Sequence, residues 1–372
     1  MSSAQDLINE ARTNPPKPVI EGLLNESEIA GLHGPPEVFK TIFCLQLAEA
    51  LATGQPFLGV WQVPHAREVY FLETEMSVPA LGTRLRKIYA GYTPPSRLHF
   101  ADPAQLRTFR RASGIRGKVA LVKDWVAAAN AEVVIVDTAN PFFRGKESPN
   151  DETTAGSFFD ELDSLPVPTK LFVRHNHKRK LEDDDSDAAA KIRGSGQFAD
   201  VPDLLLELRR PDKRTNEAIL SVSKYRHGTK PNDLTLWFDS GEFGLISVPP
   251  VIHLLRDGPK TRAELLSLFD TRFGLSERSG DEIISAQASY LSQNMRRHSK
   301  VFEIDWAAAA GADWWPRLGV GGNVLQGCIS STLPLEPQPP APSETETPYG
   351  EGQSSPAPER VLLGELERLR RL

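Results

Sequence analysis

The chain has 372 residues, 40% hydrophobic and 25% charged, a balance that excludes a wholly disordered or fibrous protein and predicts about two domains. The formal net charge of -6 excludes a global positive field for nucleic acid or an anionic membrane, so any contact with DNA must be local. The 30 prolines gather towards the C-terminus, where we expect a tail.

The cysteine content and the sequence of the N-terminus indicate the cellular compartment of the protein. Cys44 and Cys328 are the only cysteines and cannot make a disulfide framework. No run approaches 18 consecutive apolar residues, and the N-terminus lacks the basic and apolar regions of a signal peptide. The sequence therefore predicts a cytoplasmic protein that is neither exported nor membrane-bound.

The first two segments of the chain differ in character. Residues 1–20 are polar and end in PPKP, which predicts a short helix and a stiff connector outside the core. From 21 to 248, apolar runs alternate with helical patterns, which predicts an α/β domain with a mainly parallel twisted sheet. Strands are expected at VYFLE, EVVIVD, LFV, LLLELR and ILSVSK, and the last two should form an antiparallel pair.

Residues 249–318 form a second predicted unit. Three helical segments followed by the strand-like KVFEIDW predict a small winged-helix-like domain, with Thr261 and Ser276 as N-caps. Its third helix, over 276–298, could enter a DNA major groove or serve a protein partner. In the DNA alternative, the residues that meet phosphates are Arg296, Arg297, His298 and Lys300. Three tryptophans are expected to pack in this unit: Trp306, Trp314 and Trp315.

The end of the chain is divided into a linker and a helix. Residues 319–358 are rich in Pro, Ser, Glu and Thr and are expected to be disordered. Residues 359–372, with the sequence ERVLLGELERLRRL after Pro358, predict an amphipathic helix. This helix could dock in the groove of a partner protein or remain solvated.

A phosphate-binding loop is the most informative prediction. Gly34, Lys40 and Thr41 occupy three of the four fixed positions of G-x-x-x-x-G-K-[ST], while Phe39 stands in the fourth. This layout lets backbone N–H groups cradle phosphates, the lysine neutralise charge and the hydroxyl bind Mg²⁺. The predicted nucleotide-binding residues are Gly34, Pro35, Pro36, Glu37, Val38, Phe39, Lys40, Thr41 and Ile42. A non-glycine residue at positive φ would cost on the order of 1 kcal/mol at Phe39.

Three further strand ends carry candidate catalytic groups. Asp137 ends the apolar run VVIVD and is a candidate Mg²⁺ ligand, and Glu75 ends VYFLETE as a candidate general base. His175 ends the next strand as a candidate γ-phosphate sensor. Each alone could be a strand cap, a solvated strand end or a structural histidine. Their common order along the chain favours a nucleotide site.

With these motifs, residues 20–245 resemble the RecA-like P-loop ATPases, and more closely the RepA-like group of plasmid and phage hexameric helicases. The resemblance includes VIEGLLNESEIAGLHG, ATGQPFLGVW, VVIVDTANPFFRG and RGSGQFADVPDLLLEL. It implies ATP and Mg²⁺ as ligands, with Glu75 as catalytic base, Lys40 and Thr41 on phosphate and metal, Asp137 as the second metal residue and His175 as the sensor. It also implies a homo-oligomeric ring or filament with ATP at subunit boundaries.

The resemblance further suggests residues that act across a subunit boundary. The segment KYRHG resembles a K-x-R element, so Lys224 and Arg226 are candidate fingers on a neighbour's nucleotide, with Arg193 as a second arginine candidate. A basic turn is the alternative interpretation of KYRHG.

Two departures from the family pattern affect function. Phe39 replaces the loop glycine and Asn176 replaces a second histidine. The loop expected to contact single-stranded DNA has Lys178, Arg179 and Lys180 followed by acidic residues at 182–185 and 187, which repel phosphate. A replicative-type DNA helicase is the leading hypothesis. A recombination or repair accessory ATPase, or a nucleotide-binding DNA regulator with little turnover, are the alternatives.

Overall fold

A computed structural model describes residues 2–143, 147–176, 192, 194–296, 299–305, 308 and 312. The chain begins with helix α1, Ala4–Thr13, which is capped by Ser3 and buries none of its residues. A short hairpin of β1, Pro18–Ile20, and β2, Leu24–Asn25, follows. The expectation that residues 1–20 stay outside the core is right for α1 but wrong for Val19 and Ile20 of β1, which are buried in the main core. These two apolar residues come directly after the proline-rich connector, and their side chains pack in this core.

The central sheet has nine strands in the order β11-β10-β9-β8-β3-β7-β6-β4-β5. The six strands from β8 to β5 are parallel, and β9, β10 and β11 extend the sheet antiparallel. All five predicted strands and the antiparallel pair β8–β9 are therefore confirmed. The bounds are β3 Ile29–Gly34, β4 Val69–Glu73, β5 Leu98–Phe100, β6 Val133–Asp137, β7 Thr169–His175, β8 Leu204–Arg209, β9 Glu217–Tyr225, β10 Leu234–Asp239 and β11 Gly244–Ile246.

Helices cover both faces of this sheet, as its mostly buried parallel strands require. One core cluster is built on α2 and the other on α4, α5 and α6. Cys44 is buried in α2. The helix bounds are α2 Lys40–Thr53, α3 Val78–Ile88, α4 Pro103–Arg111, α5 Gly114–Ala128, α6 Glu152–Asp163 and α7 Gln197–Asp200.

The segment after the sheet contains three helices and a small sheet of order β12-β14-β13. Thr261 and Ser276 accept N-cap hydrogen bonds, as predicted. The expected helix over 276–298 is wrong beyond residue 286, because residues from Leu291 onwards pair as the strands β13 and β14. Cross-strand pairing overrides the helical spacing there. The bounds are α8 Pro250–Leu255, β12 Lys260–Thr261, α9 Arg262–Leu268, a π-helical turn Phe269–Phe273, α10 Glu277–Ala286, β13 Leu291–Arg296 and β14 Ser299–Ile304.

An ionic cluster joins this segment to the sheet. Asp239, the last residue of β10, is fully buried and accepts hydrogen bonds from Arg272 and from His253 Nε2 at 3.0 Å. Glu242 lies 3.2 Å from the same histidine nitrogen and 2.9 Å from Arg256. Because two arginines already neutralise the carboxylates, the cluster is a structural ion-pair network.

Within the described ranges, no helix is long and apolar enough to cross a membrane. The predicted linker 319–358, the terminal helix 359–372 and the three packing tryptophans lie outside the described residues, as do Arg297, His298 and Cys328.

Candidate functional site

The predicted loop, acids and histidine converge at the carboxyl edge of the parallel sheet. Gly34 is the cross-strand partner of His175, and Glu73 is the partner of Asp137. Neighbouring strands lie about 4.8 Å apart. Four strand ends therefore bring the loop, two acids and a histidine to one place, as the ordered motifs predicted.

The loop between β3 and α2 needs glycine at its first position. A Cβ on Gly34 would lie 2.3 Å from the carbonyl oxygen of Leu208 on β8, so no larger residue fits there. Glu37 and Phe39 then adopt positive φ angles of 64° and 62°. The tight turn sends the first N–H groups of α2, which have no partner within the helix, back towards the loop.

Phe39 keeps the left-handed conformation that the motif assigns to glycine. Its ring stacks on Phe238 of β10, with centroids 4.7 Å apart and planes 16° apart. The guanidinium of Arg210 lies 5.2 Å from the centroid of the Phe39 ring. These contacts, made by residues far along the chain, offset the backbone cost that the sequence predicted.

Lys40 is the first residue of α2 and is buried. Its Nζ donates to the carbonyl oxygens of Gly34 at 3.0 Å and Pro35 at 2.5 Å. Burial lowers the pKa of Lys40 to about 8, although the charge of Asp137 acts in the opposite direction. The ammonium group is thus held inside the loop that is proposed to surround the phosphates.

Thr41 and Asp137 fit a metal ion of the kind that P-loop ATPases use. Burial raises the pKa of the Asp137 carboxylate, and the nearby Thr41 hydroxyl acts in the opposite direction. Among the described residues, the buried Oδ2 of Asp137 has no hydrogen-bond partner. Because a buried charged oxygen without a partner is costly, this atom is suited to a Mg²⁺ ion or its bound water.

Glu75 is oriented by its neighbours at the strand ends. Thr138 Oγ1 donates to Glu75 Oε1 at 2.8 Å, and His175 Nε2 lies 3.6 Å from Glu75 Oε2. Hydrogen bonding from His175 lowers the pKa of Glu75, so the group is ionised and able to accept a proton. The strand ends at Glu73, the last residue of VYFLE, and Glu75 follows two residues later at an exposed position.

Glu73 is a site residue that sequence reasoning missed. Its Oε1 accepts hydrogen bonds of 2.8 Å from the backbone N–H groups of both Glu75 and Met76, which shapes the turn that carries the proposed base. Burial and the charge of Asp137 raise the pKa of Glu73 to about 7. The signal in the sequence was an acid inside an apolar strand, since VYFLE is buried throughout.

Two more buried groups next to the site were missed. His33 in β3 contacts Asn176 Oδ1 at 2.9 Å through Nδ1 and Ser223 Oγ at 3.2 Å through Nε2. Arg174, which precedes His175, donates to Asn140 Oδ1 at 2.6 Å and lies 4.1 Å from the ring centroid of Phe198. Charged residues within an apolar strand were the available signal.

Lys224 and Arg226 lie at the opposite end of the sheet. In the antiparallel pair β8–β9, Lys224 lies opposite Leu205, near the start of β8. The starts of β8 and β3 are level with each other, and the phosphate-binding loop follows the other end of β3. The Lys224 ammonium donates to the carbonyl oxygens of Ala199 and Asp200, and Arg226 pairs with Asp203 at 2.9 Å. The structure therefore does not bring these two residues to Lys40 of the same subunit. Arg193, Lys178, Arg179 and Lys180, and the acids that follow, lie outside the described residues.

The family comparison agrees with this arrangement. Residues 2–180 match the family model described as an AAA domain. No curated protein matches the chain.

Solved structures that are similar to the chain include three proteins of low identity. They are an ATPase domain (14% identity, 60% of this chain and 85% of that chain, TM-score 0.45), a KaiC-like protein from Pyrococcus horikoshii OT3 (16%, 62% and 94%, 0.45) and the RadB recombinase (17%, 60% and 91%, 0.42). The assignment itself rests on the AAA-domain match, the strand order and the motif residues at one sheet edge. Over residues 2–180 the chain matches the AAA-domain family model, which agrees with its resemblance to the RecA-like P-loop ATPases.

Proposed function

We propose that the protein hydrolyses ATP at this site and couples hydrolysis to action on DNA, most specifically as a replicative-type helicase of a plasmid, phage or other mobile element. The observation that carries the ATPase proposal is the meeting of Lys40, Thr41 and Asp137, with an unsatisfied buried Asp137 oxygen, beside Glu75. A bound Mg²⁺ would neutralise phosphate charge during transfer. DNA as the target follows from the family resemblance.

Each proposed site residue has a chemical task. The loop from Gly34 to Ile42 and the N-terminus of α2 would hold the phosphates, with the Lys40 ammonium on the β- and γ-phosphates. Glu75 would orient and deprotonate the attacking water, because its carboxylate is ionised and half-exposed. His175, with Nε2 3.6 Å from Glu75 Oε2, would couple the state of the γ-phosphate to that base.

The site is proposed to need a second subunit. Lys224 and Arg226 lie at the far end of the sheet from their own loop, so they would act on the nucleotide of a neighbour in a homo-oligomeric ring or filament. We therefore assign the two halves of the site to opposite sides of a subunit boundary. One half contains Lys40, Thr41 and Asp137, and the other contains Lys224 and Arg226.

The domain limits are part of the same proposal. We assign residues 1–20 to an N-terminal extension, 21–248 to the ATPase domain and 249–318 to a winged-helix-like domain, followed by a linker to 358 and a helix to 372. The helix and strand order after residue 249 supports the winged-helix assignment. Its α10 ends at Ala286, so Arg296 and Lys300 lie on the β13–β14 hairpin, where a wing would contact phosphates.

The test is phosphate release from ATP and Mg²⁺, with and without single-stranded DNA, across a protein concentration series. We expect activity per subunit to rise with assembly and with DNA. Lys40→Ala should abolish ATP binding, and Glu75→Gln should retain ATP binding but lose at least about 100-fold in turnover, since general-base catalysis contributes that much. Lys123→Ala and Glu21→Gln, at exposed positions, are the matched controls. Parental rates in both site variants would disprove the assignment.

Phe39 supports one alternative in a different class. A protein with a bulky residue at the loop glycine could bind ATP without turning it over and act as a nucleotide-gated DNA-binding regulator. Stoichiometric ATP binding with no phosphate release, together with protection of a defined duplex sequence, would favour this function. Turnover without strand displacement would instead favour a recombination or repair accessory ATPase.

A further inference from the structure

Positive charge in this acidic protein is concentrated in one stretch. Residues 76–123 contain ten lysines and arginines and a single acidic residue, Asp102, whereas the whole chain has a net charge of -6. Asp102 is used as the N-cap of α4, where its side chain accepts hydrogen bonds from the N–H groups of Ala104 and Gln105. The stretch therefore offers almost no internal neutralisation.

The charges on α4 share one exposed face. Leu106 and Phe109 are buried, while Arg107, Arg110 and Arg111 are exposed. These arginines are separated by three and four positions, so they are neighbours on the helix surface and repel each other. Within the described part of the chain, Arg107 and Arg111 form no ion pair. No described ion pair of Arg107 or Arg111 offsets this repulsion. A bound anion would offset it, so the arrangement points to an anionic ligand.

This basic face adjoins the nucleotide site. Phe109 stacks edge-on against Phe142, which follows the Asp137 strand, with ring centroids 5.0 Å apart. Arg110 donates to the carbonyl oxygen of Met76 at 2.9 Å, directly after Glu75. An anion on α4 would therefore lie next to the turn that carries the proposed catalytic base.

We propose that the α4 face formed by Arg107, Arg110 and Arg111 binds the phosphodiester backbone of a nucleic acid. Planar guanidinium groups suit phosphate oxygens, and contacts with the backbone need no base sequence. The surface supplies a local positive field in a chain whose net charge excludes a global one. The inference rests on the proposed function only for its consequence, which is that the bound strand stimulates ATP hydrolysis through Met76 and Glu75.

The test compares Arg107→Glu/Arg111→Glu with a control that has the same charge change, Lys213→Glu/Arg214→Glu, in the exposed turn between β8 and β9. Arg110 is retained because it supports the turn at Met76. Binding is measured by fluorescence anisotropy with a labelled single strand of about 30 nucleotides, and with a duplex of that length, over a salt series. Thermal unfolding confirms folding, and Arg107→Gln/Arg111→Gln replaces the reversal variant if that variant is unfolded.

We expect the α4 variant to lose on the order of tenfold in affinity and the control to lose much less. The slope of log K against log salt on the single strand should shrink by about 1.4, at about 0.7 for each lost phosphate contact. Loss confined to the duplex would support the face as a duplex-binding surface. Equal affinities in the α4 variant and the control, or no binding by the parent protein, would overturn the proposal.

Hydrolysis without DNA separates this inference from the proposed function. The α4 variant should keep the parent rate without DNA and lose stimulation by DNA. Absence of Lys40-dependent hydrolysis in every protein would refute the ATPase while leaving the contrast in binding intact. Normal hydrolysis with unchanged DNA affinity would refute the basic surface alone.

Discussion

Glu73 and Glu75 lie two positions apart and differ in protonation because of their surroundings. Glu75 is exposed and its pKa is lowered by hydrogen bonding from His175, whereas burial raises the pKa of Glu73 to about 7. Both face the Asp137 strand end. Two carboxyl groups with separated pKa values allow one to act as a base while the other serves the backbone as a hydrogen-bond acceptor.

Glu73→Gln is expected to stabilise the fold in a pH-dependent way. The folded pKa exceeds the ordinary value of 4.5, so the carboxyl destabilises the fold increasingly as pH rises from 4.5 to about 7. Glutamine keeps the acceptor oxygen for the N–H groups of Glu75 and Met76. Urea unfolding should therefore show little change at about pH 5 and a gain of about 2 to 3 kcal/mol at about pH 8. The control Glu21→Gln, at an exposed position, should leave the free energy of unfolding unchanged at both pH values. A gain of equal size from Glu73→Gln at both pH values would contradict the ionisation of a buried carboxyl group.

At the scale of elements, the proposed nucleotide-binding loop is supported by a strand that follows it by some 200 residues. Phe39 caps α2 in the left-handed conformation and stacks on Phe238 of β10. Phe238 also packs edge-on against Phe243, with centroids 5.4 Å apart. The antiparallel extension of the sheet therefore contributes directly to the shape of the loop.

Two substitutions at Phe39 separate backbone cost from ring packing. Both Phe39→Ala and Phe39→Gly lose the stack on Phe238, but only glycine adopts a φ of 62° without strain. We expect the glycine variant to exceed the alanine variant by about 1 kcal/mol in free energy of unfolding, the reverse of their order in ordinary helix positions. Denaturant unfolding measures the difference. An alanine variant at least as stable as the glycine variant would show that the loop is not left-handed at this position.

At the scale of the whole molecule, the Asp239 cluster joins the ATPase sheet to the helices that follow. Hydrogen bonds from His253 and Arg272 outweigh burial and hold the pKa of Asp239 well below its usual range. Burial would lower the pKa of His253, but its bonds to Asp239 and Glu242 raise it. The carboxylate contribution to stability is lost only as pH falls through the depressed values, and the histidine contribution is lost as pH rises through the raised one.

Arg272→Met should destabilise the molecule because it leaves the buried Asp239 carboxylate with one fewer neutralising partner. We expect a loss on the order of 3 kcal/mol in free energy of unfolding. The matched control is Arg278→Met, whose side chain is 88% exposed and pairs with Glu282 four residues along α10. That exposed pair should contribute no more than about 0.5 kcal/mol. Equal losses in the two variants would show that the cluster does not hold the segments together.

The sequence by itself determined the strands of the parallel sheet, the loop around Lys40 and the order of Asp137, Glu75 and His175. Apolar runs and motif spacing are local properties, and parallel strands necessarily bring their carboxyl ends to one edge. The AAA-domain match over residues 2–180 agrees with the family to which that order pointed.

Only the tertiary structure decided the features that depend on contacts between distant residues. Glu73 is buried near the charge of Asp137, and the ring of Phe238 stacks on that of Phe39. Helix α10 ends at Ala286, and the residues from Leu291 onwards form paired strands. The tertiary structure also showed that the arginines of α4 share one exposed face beside Met76. Burial, ring stacking and cross-strand pairing arise when remote segments meet, so no local pattern in the chain specifies them.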